Sequence, residues 1–273
     1  MPAVRRVVLA VLLAALALPA SAQAEQYTGQ AGAVSATLTW TPPADEGAAP
    51  RFDLAVQRAG AFVFDGPLSI DNCAGPSCRP AAASRGDRPF QVVDLDRDGE
   101  PEVLLFVYWG GAHCCFLAYV YRYDGATGGY RVKVHQFADA GARLRDLGGD
   151  GRVELVSADF RLAYEFASFA GSGMPLRIWR YRAGRFDDVT RSFKPRVRAD
   201  ARRWWRLYRR ALRRHGEQLG VLAAWTADQY RLGRRAAALR VLRRERRRGH
   251  VPSGRRYVER LDRRLRKLGY LRR

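Results

Sequence analysis

Apolar and polar residues alternate through "VSATLTWT", which places Val34, Ala36, Leu38 and Trp40 on one face of an extended strand. The run "FDLAVQRAGAFVFD" alternates on either side of Ala59 and Gly60 and predicts a hairpin turning at those two residues. Between Ala33 and Thr190 similar segments recur as "FQVVDL", "EVLLFVYW", "CCFLAYVYRY", "YRVKVHQF", "RVELVSA" and "LRIWRYR", separated by Gly, Pro, Asp and Asn. No 3.6-residue period is sustained there, so the prediction is an antiparallel β domain of one or two packed sheets. After Pro195 the period becomes helical. Apolar residues fall at Trp204, Tyr208, Ala211 and Leu212; at Leu219, Leu222, Ala223 and Tyr230; at Ala238, Leu239 and Leu242; and at Tyr257, Leu261, Leu265 and Leu268. Gly216, Gly233, Gly249 and Gly269 follow these runs, where a left-handed C-cap is expected. Four short amphipathic helices are predicted, and the fold class is α+β.

Charge divides the chain at the same place. Of the formal net charge of +21, residues 194–273 carry 28 basic against 6 acidic groups, whereas residues 25–193 carry 18 against 21. A near-neutral β domain over 25–193 is therefore expected to precede an Arg-rich helical domain over 194–273. Only Lys133, Lys194 and Lys267 are lysines, so coding bias accounts for the arginine excess as readily as selection for binding. At the other end, Arg5 and Arg6 precede an apolar run from Val7 to Leu18 and two A-x-A patterns, the signature of a Sec-type signal peptide. Cleavage after Ala22 or Ala24 fits equally; with Ala24, the signal is residues 1–24. The expected location is secreted or extracytoplasmic. No integral membrane span is expected after processing, because no other apolar run reaches about 18 residues.

The acidic stretch "DLDRDGEPE" carries carboxylates at Asp94, Asp96, Asp98, Glu100 and Glu102 and a glycine at Gly99. Calcium takes six to eight oxygens, and a tight turn can supply them from alternate residues: Asp94, Asp96 and Asp98 pointing inward, the carbonyl of Glu100, and Glu102 from the start of the next strand. An EF-hand would need a bidentate Glu at the twelfth loop position, which here is Leu105 within an apolar run. The stretch also repeats. "VVDLDRDGEPEVLL" is echoed by "LRDLGGDGRVELVS", so that Asp94, Asp98, Gly99 and Glu102 correspond to Asp146, Asp150, Gly151 and Glu154. A DxDxDGxxE loop leading into a β-strand, and repeated, resembles the FG-GAP or VCBS-type repeats of integrin-like propellers and of many exported bacterial proteins. The resemblance covers roughly residues 90–190. It implies calcium at Asp94, Asp96, Asp98 and Glu102, and a repeat that serves as scaffold or binding surface. The second loop departs from the pattern, since Gly148 replaces an acid, and weak or absent binding at Asp146, Asp150 and Glu154 is expected. Two such units are too few for a closed propeller, so an open sandwich or partial propeller is the expected architecture.

Export favours disulfides for Cys73, Cys78, Cys114 and Cys115. Because a bridge between adjacent cysteines is strained, the preferred pairing joins the 73/78 loop to the 114/115 strand by two bridges. The other pairing, Cys73 with Cys78, would leave Cys114 and Cys115 as a vicinal bridge or as two thiols. His113 in "GGAHCC" reads as a structural histidine, and His135, His215 and His250 read as surface residues. No G-x-S-x-G, H-E-x-x-H or phosphate-loop pattern is present, so no catalytic residues are assigned. The expected function is a calcium-binding, non-enzymatic binding or scaffold protein of the envelope; the alternative is an exported hydrolase with its site in the β loops around His113. The basic helices, with Trp204, Trp205 and Tyr208 interleaved, suit an anionic envelope polymer or a protein partner. Nucleic acid is a poor fit to an exported chain. "ADQYRLGRRAAAL" weakly resembles a tetratricopeptide helix pair, which also suits a protein partner.

Overall fold

The computed structural model describes residues 23–45, 47–252 and 254–271; the signal-peptide expectation lies outside them. The fold is mixed α+β, with three antiparallel sheets followed by four α-helices and no closed barrel among the described residues. The first sheet contains β1 (Glu25–Ala31), β2 (Val34–Thr41), β3 (Arg51–Arg58) and β4 (Ala61–Pro67), paired in chain order. The alternation read in β2 is what buries Val34, Ala36, Leu38 and Trp40, and β3 turns into β4 at Ala59 and Gly60. β1 escapes the sequence pattern: "EQYTGQA" has no apolar alternation, yet it pairs with Val34 to Trp40 of β2 as an edge strand.

The second sheet holds β5 (Arg79–Pro80), β6 (Phe90–Val93), β7 (Glu102–Tyr108), β8 (Phe116–Asp124) and β9 (Gly129–Gln136). Both β5 and β6 pair with β7, which then pairs with β8, and β8 with β9. The third holds β10 (Arg143–Arg145), β11 (Glu154–Ala158), β12 (Leu176–Arg182) and β13 (Arg185–Asp188) in chain order. The middle sheet is covered on both faces. Val103, Leu105 and Val107 of β7 share a core with the first sheet, whereas Leu104 and Phe106 share one with Leu155 and Tyr181 of the third. Burial on both faces is why β7 is a continuous apolar run rather than an alternating one.

The helices are α1 (Lys194–Arg213), α2 (Leu219–Arg231), α3 (Arg235–Arg247) and α4 (Gly254–Lys267). α1 buries Val197, Ala201, Trp204 and Tyr208 along one stripe. α2 corrects the expectation of an amphipathic helix, because Leu222 to Asp228 are all buried. It runs through the centre of the third core, between α1, α3, α4 and the 160–172 loop. Gly220 permits this: a Cβ there would meet the backbone of Gly171 and lie 2.9 Å from Ser172 Cα. Gly233, Gly249 and Gly269 take the left-handed conformation after their helices, but after α1 it is His215, not Gly216, that does so.

A buried polar cluster joins helices to sheet. Asp159, just after β11, accepts bonds from Arg161 Nε at 2.8 Å and from the Tyr270 hydroxyl at 2.7 Å, and lies 3.5 Å from Arg231. Arg231 also donates to the carbonyl of Leu176, and Arg191 donates to the carbonyls of Arg231, Gly269 and Tyr270. Burial pushes the Asp159 carboxyl up, but the Arg161 bonds and the surrounding guanidinium charges prevail and hold it at about 2.

The cysteine pairing corrects the sequence expectation. Cys73 bonds to Cys78 with Cα atoms 5.4 Å apart, and Cys114 bonds to Cys115. Local turns bring each pair together. Cys78 N–H donates to Gly75 and Cys73 N–H to Ile70, while Cys114 and Cys115 lie in the turn before β8 rather than in the strand, with Cys115 at a positive φ of 91°.

Candidate metal centre

Each acidic loop joins the first long pairing of a meander: Asp94–Pro101 links β6 to β7, and Asp146–Val153 links β10 to β11. The two loops use the same internal hydrogen bonds. Asp94 accepts from the N–H groups of Asp98 (3.2 Å) and Gly99 (3.0 Å); Asp146 accepts from those of Asp150 (3.3 Å) and Gly151 (2.8 Å). Glu102 accepts from Leu95 N–H at 2.9 Å and Glu154 from Leu147 N–H at 3.2 Å, so each strand-opening glutamate clamps the start of its own loop. Asp98 and Asp150 each accept the N–H two residues on. Gly99 sits at φ 89° and Gly151 at φ 77°, where a side chain would be strained.

The loops differ in what remains free. In the first, carboxylate oxygens of Asp94, Asp96 and Glu102 all lie within 4.8 Å of one another, the one such trio among the described residues. Glu102 is 0% exposed, and its Oε1, like Asp96 Oδ1, is buried without a hydrogen bond. Burial, followed by the charges of Asp96, Asp98 and Asp94, outweighs the Leu95 N–H bond and pushes the Glu102 carboxyl up to about 8. Asp98 and Glu100 turn their carboxylates elsewhere, to Arg122 at 2.5 Å and to Arg58 at 2.7 Å. Burial would raise the Asp98 carboxyl, but the Glu100 N–H and Arg122 hold it below its ordinary range.

In the second loop Gly148 supplies no carboxylate. Asp146 is occupied by backbone N–H groups, chiefly that of Gly151, which hold its carboxyl low, and Glu154 is bonded by Arg180 Nη2 at 2.5 Å. Asp146, Asp150 and Glu154 are thus brought into one turn but are satisfied from within. Arg122 and Arg180 are the residues that the loop motif does not disclose. They lie on the strands opposite the glutamates, and Arg122 Nε stays 3.6 Å from Glu102 because Asp98 draws it away. Their signal was the shared "YRY" and "WRY" of the two following strands.

The two loops also touch: Arg97 donates to the carbonyl of Asp150, and the N–H of Ala183, in the β12–β13 turn, donates to Asp96 at 2.7 Å. His113 lies away from them, exposed, with its ring tilted against that of Phe169 at 3.5 Å between centroids. Its side chain carries no hydrogen bond or ion pair among the described residues. His135 corrects the expectation of a surface residue. It is enclosed by Phe186 (4.6 Å), Trp179 (4.5 Å) and Phe137 (4.7 Å), and burial lowers its pKa to about 4.

Fold and site thus define a mixed α+β protein of antiparallel meanders with a carboxylate-lined turn. No protein-family model matches the chain. Over 150 residues, 53% of its length, it is 34% identical to a probable thylakoid lumen protein of Synechocystis, covering 44% of that protein. Over 147 residues, 52% of its length, it is 33% identical to an uncharacterized protein of Sinorhizobium fredii, covering 23% of it. The chain therefore spans less than half the length of either relative. Among solved structures, a xylan β-1,4-xylosidase of Bacillus halodurans aligns with 62% of the chain and 30% of its own at 12% identity and a TM-score of 0.29, a likeness too slight to bear on fold or function. No helix among the described residues is long and apolar enough to cross a membrane.

Proposed function

We propose that the chain is an exported, two-domain, non-enzymatic binding or scaffold protein of the cell envelope or extracellular space. Its β domain carries two FG-GAP/VCBS-like units, and the first loop binds calcium. The observation that supports this reading is the trio of Asp94, Asp96 and Glu102, with Glu102 wholly buried and one of its oxygens lacking a hydrogen bond. Three carboxylates so close repel one another unless Glu102 keeps a proton or a cation lies among them, and an all-oxygen set suits a hard cation such as calcium. Arg122 competes with the ion for Asp98 and Glu102. The second loop has its Glu154 neutralised by Arg180 and serves as a metal-free copy. The Synechocystis relative, a probable thylakoid lumen protein, supports an extracytoplasmic location, as do the two disulfides.

The test is thermal unfolding of the mature protein with chelator and with millimolar calcium, alongside titration calorimetry. At micromolar affinity, millimolar calcium adds about 4 kcal/mol. Asp96→Ala abolishes that gain, Asp150→Ala retains it, and Arg122→Gln tightens binding. A melting temperature indifferent to calcium, or equal losses from the two aspartate substitutions, refutes the proposal.

A further inference from the structure

The helical part carries a second site, unrelated to the acidic loops. Between α1, α2 and α3 runs an open trough of about 630 Å³. Its floor is apolar: Trp205 and Trp225 pack on each other with ring centroids 4.9 Å apart. Its α1 wall is a line of three exposed arginines, Arg198, Arg202 and Arg206, and Arg234 from the α2–α3 turn faces the same space. No carboxylate lines the trough, and the side chains of these four arginines have no hydrogen bond or ion pair among the described residues. Elsewhere on the helices arginines near an acid do pair: Arg235 and Arg266 with Asp262, Arg260 and Arg264 with Glu165.

We propose that this trough is a docking site for an extended acidic peptide segment of a partner protein, with acidic side chains on the arginine line and an apolar side chain on the tryptophan floor. The spacing favours it. Residues four apart on a helix rise about 6 Å per step. An extended chain presents every second side chain on one face, about 6.6–6.8 Å apart, so carboxylates at alternate positions keep step with Arg198, Arg202 and Arg206. Each guanidinium can hold a carboxylate through two parallel N–H bonds. The side chain that an arginine line cannot satisfy, an apolar or aromatic one, is what the floor takes. Single-stranded nucleic acid fits less well, because base stacking needs an open ring face, whereas Trp225 is 9% exposed and packed against Trp205. Trp204 and Tyr208 are buried in the helical core and offer no platform either.

The test uses the whole mature protein and fluorescence anisotropy at physiological salt. The probe is a labelled nine-residue peptide that alternates glutamate with leucine and phenylalanine. Its controls are the same residues rearranged into one acidic and one apolar block, oligothymidylate, and polygalacturonate. The alternating peptide is expected to bind tightest. The triple substitution Arg198→Gln, Arg202→Gln and Arg206→Gln is expected to weaken it at least tenfold, and Arg240→Gln, Arg243→Gln and Arg247→Gln, all exposed on α3 outside the trough, less than threefold. All six are surface changes, so circular dichroism should match wild type. Equal losses from the two triples would reduce the effect to diffuse charge. Equal binding of the block peptide, tighter binding of oligothymidylate or polygalacturonate through the same arginines, or no binding by the wild-type protein would each overturn the proposal.

Discussion

Replacing Asp159 with Asn changes little in shape but removes the negative charge at the centre of the polar cluster between helices and sheet, leaving Asp188, which pairs with Arg177 at 2.9 Å. Its side chain is 0% exposed, and the guanidinium groups of Arg161, Arg177 and Arg231 lie within 2.5 to 3.9 Å. The magnitude follows from the carboxyl itself. Held at about 2 against an ordinary value of 3.8, it contributes roughly 2 kcal/mol at neutral pH, since one pH unit is worth about 1.4 kcal/mol. Arg231, almost wholly buried, would lose its compensating charge, and breaking a buried pair costs about 3–5 kcal/mol, so a loss near 3 kcal/mol is expected. Urea unfolding followed by circular dichroism and tryptophan fluorescence measures it. Because the folded value is depressed, the contribution is fully present above the unfolded value of about 3.8 and disappears as pH falls through about 2. Wild type and Asp159→Asn should therefore differ most above pH 4 and converge toward pH 2. A loss below about 1 kcal/mol, or a gap undiminished at pH 2, would refute this account of the cluster.

Two further outcomes follow from packing and burial. Gly220→Ala should destabilise by about 1–3 kcal/mol in urea unfolding, because the added methyl meets the backbone of Gly171 and Ser172; a stabilised protein, as helix propensity alone would give, would show that the contact is not tight. His135, lowered to about 4 by burial and then by Arg177 and Lys133, resists protonation when folded, so stability is full above pH 6.5 and falls between pH 6.5 and 4; allowing for its residual solvent contact, the loss at pH 4 is about 1–2 kcal/mol, and it should vanish in His135→Phe.

The acidic loops were legible because their chemistry is local. Carboxylates at alternate residues, a glycine that bends and a strand that begins on a glutamate all lie within nine residues, and the internal hydrogen bonds of both loops reproduce that order. What separates the loops is not local. Arg122 is 20 residues beyond Glu102 and Arg180 is 26 beyond Glu154, and strand pairing sets each opposite its glutamate. Asp96 is held by Ala183, 87 residues away.

By itself the sequence determined the elements whose signal is a period: the alternation of β2, the hairpin at Ala59 and Gly60, the uninterrupted apolar run of β7 and the four helices from Lys194 onward. These follow from which side chains must leave water, and a strand or helix repeat reports that within a few residues. Tertiary structure alone decided the rest. β1 is a strand only because β2 offers it an unpaired edge, and α2 lies in the centre of its bundle because three neighbours cover faces that could otherwise have been wet. The cysteines pair within their own turns because the local backbone, such as the Cys78 N–H bond to Gly75, brings each pair together. The Asp159 cluster and the Trp205–Trp225 trough gather residues from separate elements, so the chemistry of each exists only where folding brings those elements together.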